Sequence, residues 1–203
     1  MKMLSQVLFW FGLVSIPLSW IELFGRQAPT TVEIGTGKGK FLNELALARP
    51  DQNILGVERS AKYHRLCCHR AERRGLTNVR LLRTTGEDLL MRLLPRHSVT
   101  TLFVLFPDPW PKKRHHKRRI LQPALLAQLA RVIRPGGLFH AATDWQDYAE
   151  QMLQTLGEAS DLFDNNAGRD RYTPRPDERP LTKFEQRGKK LGHSVWDLVF
   201  RRL

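Results

Sequence analysis

Cysteine is scarce in this sequence: the 203 residues include only two, Cys67 and Cys68, and they are adjacent. Adjacent cysteines do not form an ordinary disulfide, and they lack the spacing of a metal-ligand pair. The apolar residues near them predict that both are buried free thiols, a state that fits a reducing cytoplasm. The cysteine pattern therefore excludes a small fold held together by disulfides.

Acidic residues are also in short supply, with 20 Asp and Glu against 33 Lys and Arg and a net charge of +13. Such an excess of positive charge predicts a polyanionic partner. The excess is concentrated, because the stretch 59–83 contains eight Lys or Arg and the single acid Glu72. A concentrated charge favours a binding surface over a general contribution to solubility.

Long apolar runs are missing except at the start, where residues 3–20 carry no charge. A membrane span needs about 20 mainly apolar residues, and Gly12 and Pro17 interrupt this one. The run resembles a targeting segment, but no small-residue cleavage site follows it. We expect an apolar arm over residues 1–19 packed against one domain over residues 20–203, with no membrane insertion.

From Gly25 onward, strand and helix patterns alternate. A parallel sheet with helices on both faces is the architecture that such alternation favours, and its ligands bind at the carboxyl ends of the strands. The long irregular stretch 165–192 is rich in Pro, Arg and Lys, which is typical of functional loops. Strands are predicted at 30–35, 53–58, 78–83, 101–106, 138–143 and 195–200, and helices at 40–48, 61–74, 120–133 and 145–156.

The first predicted strand runs into a glycine loop, with Gly35, Gly37 and Gly39 in the pattern E-x-G-x-G-x-G. Glycines allow a ligand to approach the backbone closely. Glu58, at the end of the second strand, is placed to accept hydrogen bonds from ribose hydroxyls. Glu33 would oppose a pyrophosphate, so the loop favours a cationic ligand such as S-adenosylmethionine over a dinucleotide. A tight turn without a cofactor is the structural alternative.

The stretch FPDPW places one carboxylate, Asp108, between two prolines, with Phe106 and Trp110 beside it. The prolines stiffen the loop and restrict where the carboxylate points. Either aromatic ring could stack on a nucleic-acid base. The pattern indicates a pocket for a single base, and Asp108 would both orient the base and stabilise positive charge on it.

Residues 112–119 follow directly, and six of these eight residues are Lys or Arg and two are His. So dense a run beside a candidate active-site loop indicates phosphate contacts, although a solvated helix start would look the same. His115 and His116 have no further ligand at a suitable spacing, so we expect no metal site.

Several motifs together resemble the tRNA (guanine-N7-)-methyltransferase family. They extend from Trp20 to Phe200, and FPDPW with its basic run and TKFEQRG are the family-specific ones. The others are VEIGTGKG, GVE, ATDW and the remainder of RPLTKFEQRGKKLGH with VWDL.

The resemblance implies a Rossmann-like class I methyltransferase fold with a mostly parallel seven-stranded sheet. It also implies S-adenosylmethionine as methyl donor and a variable-loop guanosine of tRNA as target. Asp108 is then the catalytic residue. The cofactor would contact Glu33, Gly35, Gly37, Gly39, Glu58, Thr85 and Asp108. The substrate would contact Lys112, Asp144, Thr182, Lys183, Phe184 and Glu185, and the RNA would contact Arg114, His115, His116, Lys117, Arg118 and Arg119.

Two of these assignments have alternatives. Thr85 stands where the family has an aspartate after the third strand, so either its hydroxyl or nearby Glu87 would serve the adenine end of the cofactor. Thr182 and Glu185 also form the pattern T-x-x-E, which caps a helix N-terminus.

Three other functions stay open on the sequence: a methyltransferase acting on another RNA, an RNA-binding protein that has lost its cofactor, and a membrane-associated form. The sequence is compatible with a monomer and with a homodimer.

Overall fold

A computed structural model describes residues 15–176, Glu185 and residues 194–203. Its centre is a seven-stranded sheet in the order β3-β2-β1-β4-β5-β7-β6. Strands β1 to β5 are parallel, whereas β7 is antiparallel to both β5 and β6. The strands are β1 (Thr30–Ile34), β2 (Asn53–Val57), β3 (Val79–Leu82), β4 (Val99–Leu105), β5 (Ile133–Thr143), β6 (Phe163–Asn165) and β7 (Trp196–Arg202).

Helices link the parallel strands and cover both faces of the sheet. The described α-helices are α1 (Trp20–Phe24), α2 (Lys40–Ala48), α3 (Ala61–Arg73), α4 (Gly86–Asp88), α5 (Pro123–Val132) and α6 (Gln146–Gly157). A π-helical turn, Leu89–Leu93, continues α4, and a 3₁₀ helix, Lys113–Arg118, lies between β4 and α5. The α/β architecture expected from the sequence, a mostly parallel seven-stranded sheet with helices on both faces, is confirmed.

The sheet separates two apolar cores. One is formed by α2 and α3 with residues of β2 and β3, and it includes Phe41, Leu42 and both cysteines, which are buried as expected. The larger core lies on the other face, where α5 and α6 pack with the alternate residues of the same strands. Because a core lies on each face of the sheet, β1, β2 and β3 are buried along their whole length rather than at alternate residues.

Several predicted boundaries were wrong. The helix predicted at 120–133 begins only at Pro123, and β5 already begins at Ile133 rather than at Leu138. The Arg134–Gly137 stretch, expected to separate helix from strand, belongs to β5, whose register against β4 shifts there. β6, α1 and α4 were not located from the sequence.

Of the predicted N-terminal arm, residues 15–19 are described. Leu18 is buried there and donates its backbone N–H to Leu93 O at 2.8 Å. No helix in the described part of the chain is both long enough and apolar enough to cross a membrane.

Candidate active site

The carboxyl ends of four strands meet at one edge of the sheet. Gly35 follows β1, Glu58 follows β2, Phe106 follows β4 and Asp144 follows β5, and β2, β1, β4 and β5 are consecutive neighbours. Residues distant in the sequence are thereby brought together, as expected for the ligand-binding edge of a parallel sheet. Backbone hydrogen bonds join β1 to β2, from Gly35 N–H to Val57 O at 2.8 Å, and β4 to β5, from Phe106 N–H to Ala142 O at 2.7 Å. Another, from Glu58 N–H to Leu82 O at 3.1 Å, joins the end of β2 to that of β3.

The glycine loop between β1 and α2 depends on left-handed backbone at Gly35, Gly37 and Gly39, with φ values of 83°, 53° and 72°. A Cβ at Gly39 would lie 2.2 Å from Cys67 Sγ, so α3 leaves no space there. A Cβ at Gly35 or Gly37 would have no atom within 4 Å. The loop is therefore packed on its inner side and open on its outer side, where a ligand can approach the backbone.

Glu33 lies in the floor of this loop and is only 3% exposed. Burial raises the pKa of its carboxyl from an ordinary 4.5 to about 8, and the nearby charge of Glu58 adds to the rise. Its Oε2 atom, like Oδ1 of Asn43, is buried without a hydrogen-bond partner among the described residues. Unpaired buried oxygens are costly, and a cationic ligand group would satisfy them.

Glu58 is held at the rim of the loop. Its carboxylate accepts hydrogen bonds from Gly37 N–H at 2.8 Å and from Ser60 N–H at 2.7 Å. These bonds fix the side chain beside the backbone of the glycine loop while leaving it half-buried. A carboxylate fixed in this way retains lone pairs that can accept from ligand hydroxyls.

Thr85 is the N-cap of α4. Its hydroxyl accepts from Asp88 N–H at 3.0 Å and donates to Asp88 Oδ2 at 3.1 Å. Both Thr85 and Asp88 are half-buried, whereas Glu87 is exposed. The hydroxyl thus stabilises the start of α4 and retains one acceptor position for a ligand.

The loop after β4 holds Asp108 between two residues in an unusual conformation. Phe106 has a φ of 51° and Trp110 a φ of 46°, values that residues other than glycine rarely adopt. Such strain is common at functional sites. Asp108 itself is exposed, and its carboxylate forms no hydrogen bond or ion pair with any described residue.

The basic run begins with exposed Lys112 and continues as the 3₁₀ helix. Arg114, Lys117 and Arg118 are exposed, whereas His115 and His116 are half-buried. The guanidinium of Arg118 lies over the Trp110 ring, 4.9 Å from its centroid. This contact joins the basic run to the aromatic side of the Asp108 loop.

Arg119 differs from the other residues predicted to contact RNA. It is 2% exposed, and its Nε donates to Pro109 O at 2.8 Å. Its other nitrogens contact Gln151 at 2.6 Å and the Asp147 carboxylate. The prediction of an RNA contact at Arg119 does not fit this burial, because the guanidinium is already occupied in anchoring the Asp108 loop to α6.

At the end of β5, Asp144 is half-buried and the neighbouring Trp145 is 41% exposed. Trp145, the last residue of the ATDW motif, is thus an exposed aromatic side chain that was not predicted as a platform for a base. Thr182, Lys183 and Phe184 lie outside the described residues. Glu185 is 1% exposed, and its Oε1 lies 3.1 Å from Arg175 Nε.

Comparison with known proteins identifies the family. The family model described as "Putative methyltransferase" matches residues 27–198. A tRNA (guanine-N(7)-)-methyltransferase of Bordetella pertussis is 50% identical over 186 residues, which cover 92% of this chain and 72% of that protein. The protein with the same name from Aeromonas hydrophila is 45% identical over 187 residues, which cover 92% of this chain and 78% of that protein.

Among solved structures, the 16S rRNA methyltransferase KamB superimposes with a TM-score of 0.65 at 20% identity and covers 90% of this chain and 91% of its own. The aminoglycoside resistance methyltransferase NpmB1 gives a TM-score of 0.57 at 18% identity and covers 86% of this chain and 87% of its own. These distant likenesses support the methyltransferase fold. On the identity to its curated relatives, the chain belongs to the tRNA (guanine-N(7)-)-methyltransferase family.

Proposed function

We propose that this protein transfers a methyl group from S-adenosylmethionine to N7 of a variable-loop guanosine in tRNA. The observation that carries the proposal is the position of Asp108. Its exposed carboxylate stands at the strand edge that also bears the glycine loop, and a basic helix follows it directly. The shared family supplies the substrate class, since the relatives are named for tRNA guanine-N7 methylation.

The residues around the glycine loop fit S-adenosylmethionine. The unpaired Glu33 Oε2 and Asn43 Oδ1 suit the cationic amino-acid end, and the open space beside Gly35 and Gly37 suits close backbone contact. Glu58 would accept from the ribose hydroxyls. When bound, S-adenosylmethionine supplies a methyl group activated by its sulfonium charge.

Thr85 would serve the adenine end of the cofactor through its remaining acceptor position, and exposed Glu87 is the alternative. Asp108, at the end of the neighbouring β4, would border both cofactor and substrate.

The chemistry assigned to Asp108 follows from the target atom. Guanine N7 has a free lone pair, so its methylation needs no general base. The methylated base is cationic, and a carboxylate beside it stabilises the charge that develops in the transition state. The same carboxylate can accept from the N1 and N2 donors of guanine, which orients the base. Asp108 would thus position the guanine and stabilise the positive charge that the ring acquires with the methyl group, without moving a proton.

The remaining substrate contacts surround this carboxylate. Lys112 is exposed at the start of the basic run, and Asp144 follows β5, so both would contact the target nucleotide. We assign the same role to Thr182, Lys183, Phe184 and Glu185 from the family motif alone. Arg114, His115, His116, Lys117 and Arg118 would contact RNA phosphates.

Three aromatic rings are available to stack on the base. Phe106 is half-buried, and Trp110 has Arg118 over its ring. Trp145 is the most exposed of the three, so we assign the stacking contact to Trp145.

A reducing cytoplasm suits this reaction and this protein. Both cysteines are free, and burial raises the pKa of Cys67 to about 12 and that of Cys68 to about 11. They are therefore unreactive thiols, and neither is available as a nucleophile or metal ligand.

The direct test uses labelled S-adenosylmethionine and two unmodified tRNA transcripts that differ only in whether the variable-loop guanosine is present. We expect 7-methylguanosine only on the transcript that contains it. Label at other positions would redirect the proposal to another RNA target, and no label from a folded protein would reject it.

Asp108→Ala should abolish methyl transfer while tRNA still binds, because the phosphate contacts remain. Asp51→Ala is the matched control, since Asp51 is also an exposed aspartate but lies before β2 at the opposite edge of the sheet. Wild-type turnover in the Asp108 variant would refute the assigned role.

One observation favours a second candidate, an RNA-binding protein without cofactor: the Thr85 hydroxyl is already bonded to Asp88 where the family has an aspartate. Calorimetry with S-adenosylhomocysteine distinguishes the two. Heat of binding at a stoichiometry near one excludes the cofactor-free protein, and no detectable heat supports it.

A further inference from the structure

A second basic surface lies on α3, apart from the basic run beside Asp108. Its exposed cations are Arg59, Lys62, Arg65, Arg73 and Arg74, and we name these five residues the α3 basic face. None of them forms an ion pair with a described residue. The one acid on the helix, Glu72, lies 3.6 Å from His69 and so does not neutralise them.

The α3 basic face begins at the active edge of the sheet. Arg59 directly follows Glu58, the carboxylate beside the glycine loop. From Lys62 to Arg73 the helix then extends for ~16 Å at the usual rise per residue. The surface therefore starts next to the proposed cofactor site and leads away from it along the outside of β2 and β3.

Helical spacing places several of these cations side by side. Lys62 and Arg65 are three residues apart, and Arg70, also exposed, lies three residues before Arg73 and four before Arg74. Like charges at such spacings destabilise a helix. Repulsion between these cations therefore destabilises α3, and a bound polyanion would relieve that repulsion. A surface that served only for solubility would not need cations so close together.

Tyr63 and Leu66 interrupt the charges, at 39% and 36% exposure. A surface that combines cations with an exposed ring and an aliphatic side chain can contact both phosphates and sugars. Two isolated apolar side chains are too few for a membrane-binding face, which needs a continuous apolar side.

We propose that the α3 basic face binds the sugar–phosphate backbone of the same tRNA, in a segment separate from the target nucleotide. The proposal rests on the proposed function for the identity of the RNA. β4, which leads to the Asp108 loop, and β2, which leads to α3, are separated only by β1. At ~4.8 Å between neighbouring strands, one RNA molecule can therefore contact both basic surfaces.

The test compares two double variants with the same change in charge. Arg65→Gln/Arg73→Gln removes two cations from the α3 basic face. Arg96→Gln/Arg134→Gln removes two exposed arginines beside the amino ends of β4 and β5, at the opposite edge. Arg70 is left unchanged in both, because it donates to Lys38 O in the glycine loop.

We expect the α3 double variant to raise the tRNA Kd on the order of tenfold at moderate salt. The slope of log Kd against log salt concentration should fall by about 1.5, since each lost phosphate contact contributes ~0.7–0.9. The affinity for S-adenosylhomocysteine should not change, and the melting temperature should stay the same or rise because repulsion is relieved. The control double variant should match the wild type, and Arg65→Lys/Arg73→Lys should restore most of the slope.

Equal tRNA Kd and equal salt slope in the α3 double variant and the wild type would overturn the proposal. The proposal would also be overturned if the α3 double variant lost binding to vesicles containing phosphatidylserine but kept its affinity for tRNA, since that outcome identifies a membrane-binding surface. A failure of the proposed function is seen separately, as a wild-type protein that binds tRNA but transfers no label. A short hairpin that contains only the target loop should bind the α3 double variant and the wild type equally.

Discussion

The buried Arg119 donates from Nε to the carbonyl oxygen of Pro109 at 2.8 Å and thereby anchors the loop that carries Asp108. Its opposite side contacts α6 through Gln151 and Asp147. The hydrogen bond from Arg119, together with its positive charge, lowers the pKa of the Asp147 carboxyl. A residue that the sequence presents as one more phosphate ligand is therefore the link between the proposed catalytic loop and the rest of the domain.

Replacing Arg119 by Lys should impair catalysis more than RNA binding. A lysine ammonium cannot reproduce the planar fork that reaches Pro109 and α6 together. We expect stability to fall by about 1.5–3 kcal/mol, the usual range for losing a hydrogen bond to a charged group. In steady-state assays kcat should fall about tenfold, while the KM for tRNA and its salt dependence stay near the wild-type values.

The matched variant for this prediction is Lys117→Ala, which removes an exposed cation from the same basic run. It should raise the KM for tRNA and reduce the salt slope by about 1, with kcat unchanged. A flattened salt slope in the Arg119 variant would instead identify a phosphate contact and contradict the positioning role.

Gly39 and Gly37 should respond differently to the same substitution. Both have left-handed backbone, but a Cβ at Gly39 would lie 2.2 Å from Cys67 Sγ, whereas one at Gly37 would meet no atom within 4 Å. We expect Gly39→Ala to cost about 3 kcal/mol by adding overpacking to backbone strain. Gly37→Ala should cost only about 1 kcal/mol yet weaken binding of S-adenosylhomocysteine. Urea unfolding and calorimetry measure the two effects.

Adding Cys67→Ala to Gly39→Ala shows whether the contact with Cys67 Sγ causes the loss of stability at Gly39. If the steric contact dominates, the second substitution recovers part of the lost stability, so the two effects are not additive. Strict additivity would show that the contact with Cys67 Sγ does not cause the loss, which would then come from backbone strain and from the contact that the new Cβ makes with Asn43 Nδ2 at 2.8 Å.

Trp145 provides a test of the stacking platform. It is exposed and contributes little to the core, so Trp145→Ala should change stability by less than about 0.5 kcal/mol. Stacking on a base is worth ~1–3 kcal/mol, so we expect kcat/KM for tRNA to fall about tenfold or more. Trp145→Phe should retain most of the activity, because it keeps an aromatic face.

Trp110→Ala is the comparison for the aromatic residues. Its half-buried ring lies under Arg118, so its loss should destabilise the basic helix as well as lower activity. Unchanged kcat/KM in Trp145→Ala, together with a large loss in Trp110→Ala at unchanged stability, would transfer the stacking role to Trp110.

The sequence was sufficient where a local pattern determines the structure. β1 to β4 were found from short segments rich in buried residues, and the glycines after β1 predict the turn that the structure contains. β6 has only three residues and pairs with one neighbour, so it is too short to show a period. The role of Arg119 depends on α6, which is distant in the sequence, and a charge run gives no sign of which cation is buried.

The state of Glu33 could not be inferred from the sequence either, because its raised pKa arises from the packing around it. Burial and the charge of Glu58 raise that pKa to about 8. The folded protein therefore keeps the Glu33 proton at pH values where the unfolded chain, in which the carboxyl has its ordinary pKa of 4.5, has already released it. Stability of the ligand-free protein should fall as pH rises between these two values, and Glu33→Gln should remove that slope in urea unfolding measured across the range.

The same pKa predicts how cofactor binding depends on pH. The cationic ammonium group at the amino-acid end of S-adenosylmethionine favours the ionised Glu33 carboxylate, so binding below about pH 8 should release a proton. We expect the affinity to rise with pH by up to about tenfold per unit between about pH 6 and about pH 8. Calorimetry in buffers of different ionisation enthalpy measures the released proton directly. Glu33→Gln should bind weakly and without this dependence, whereas Glu44→Gln on α2 should match the wild type. A wild-type affinity that is constant across this range would show that Glu33 keeps the same protonation state in the free and bound protein, and would contradict proton release on binding.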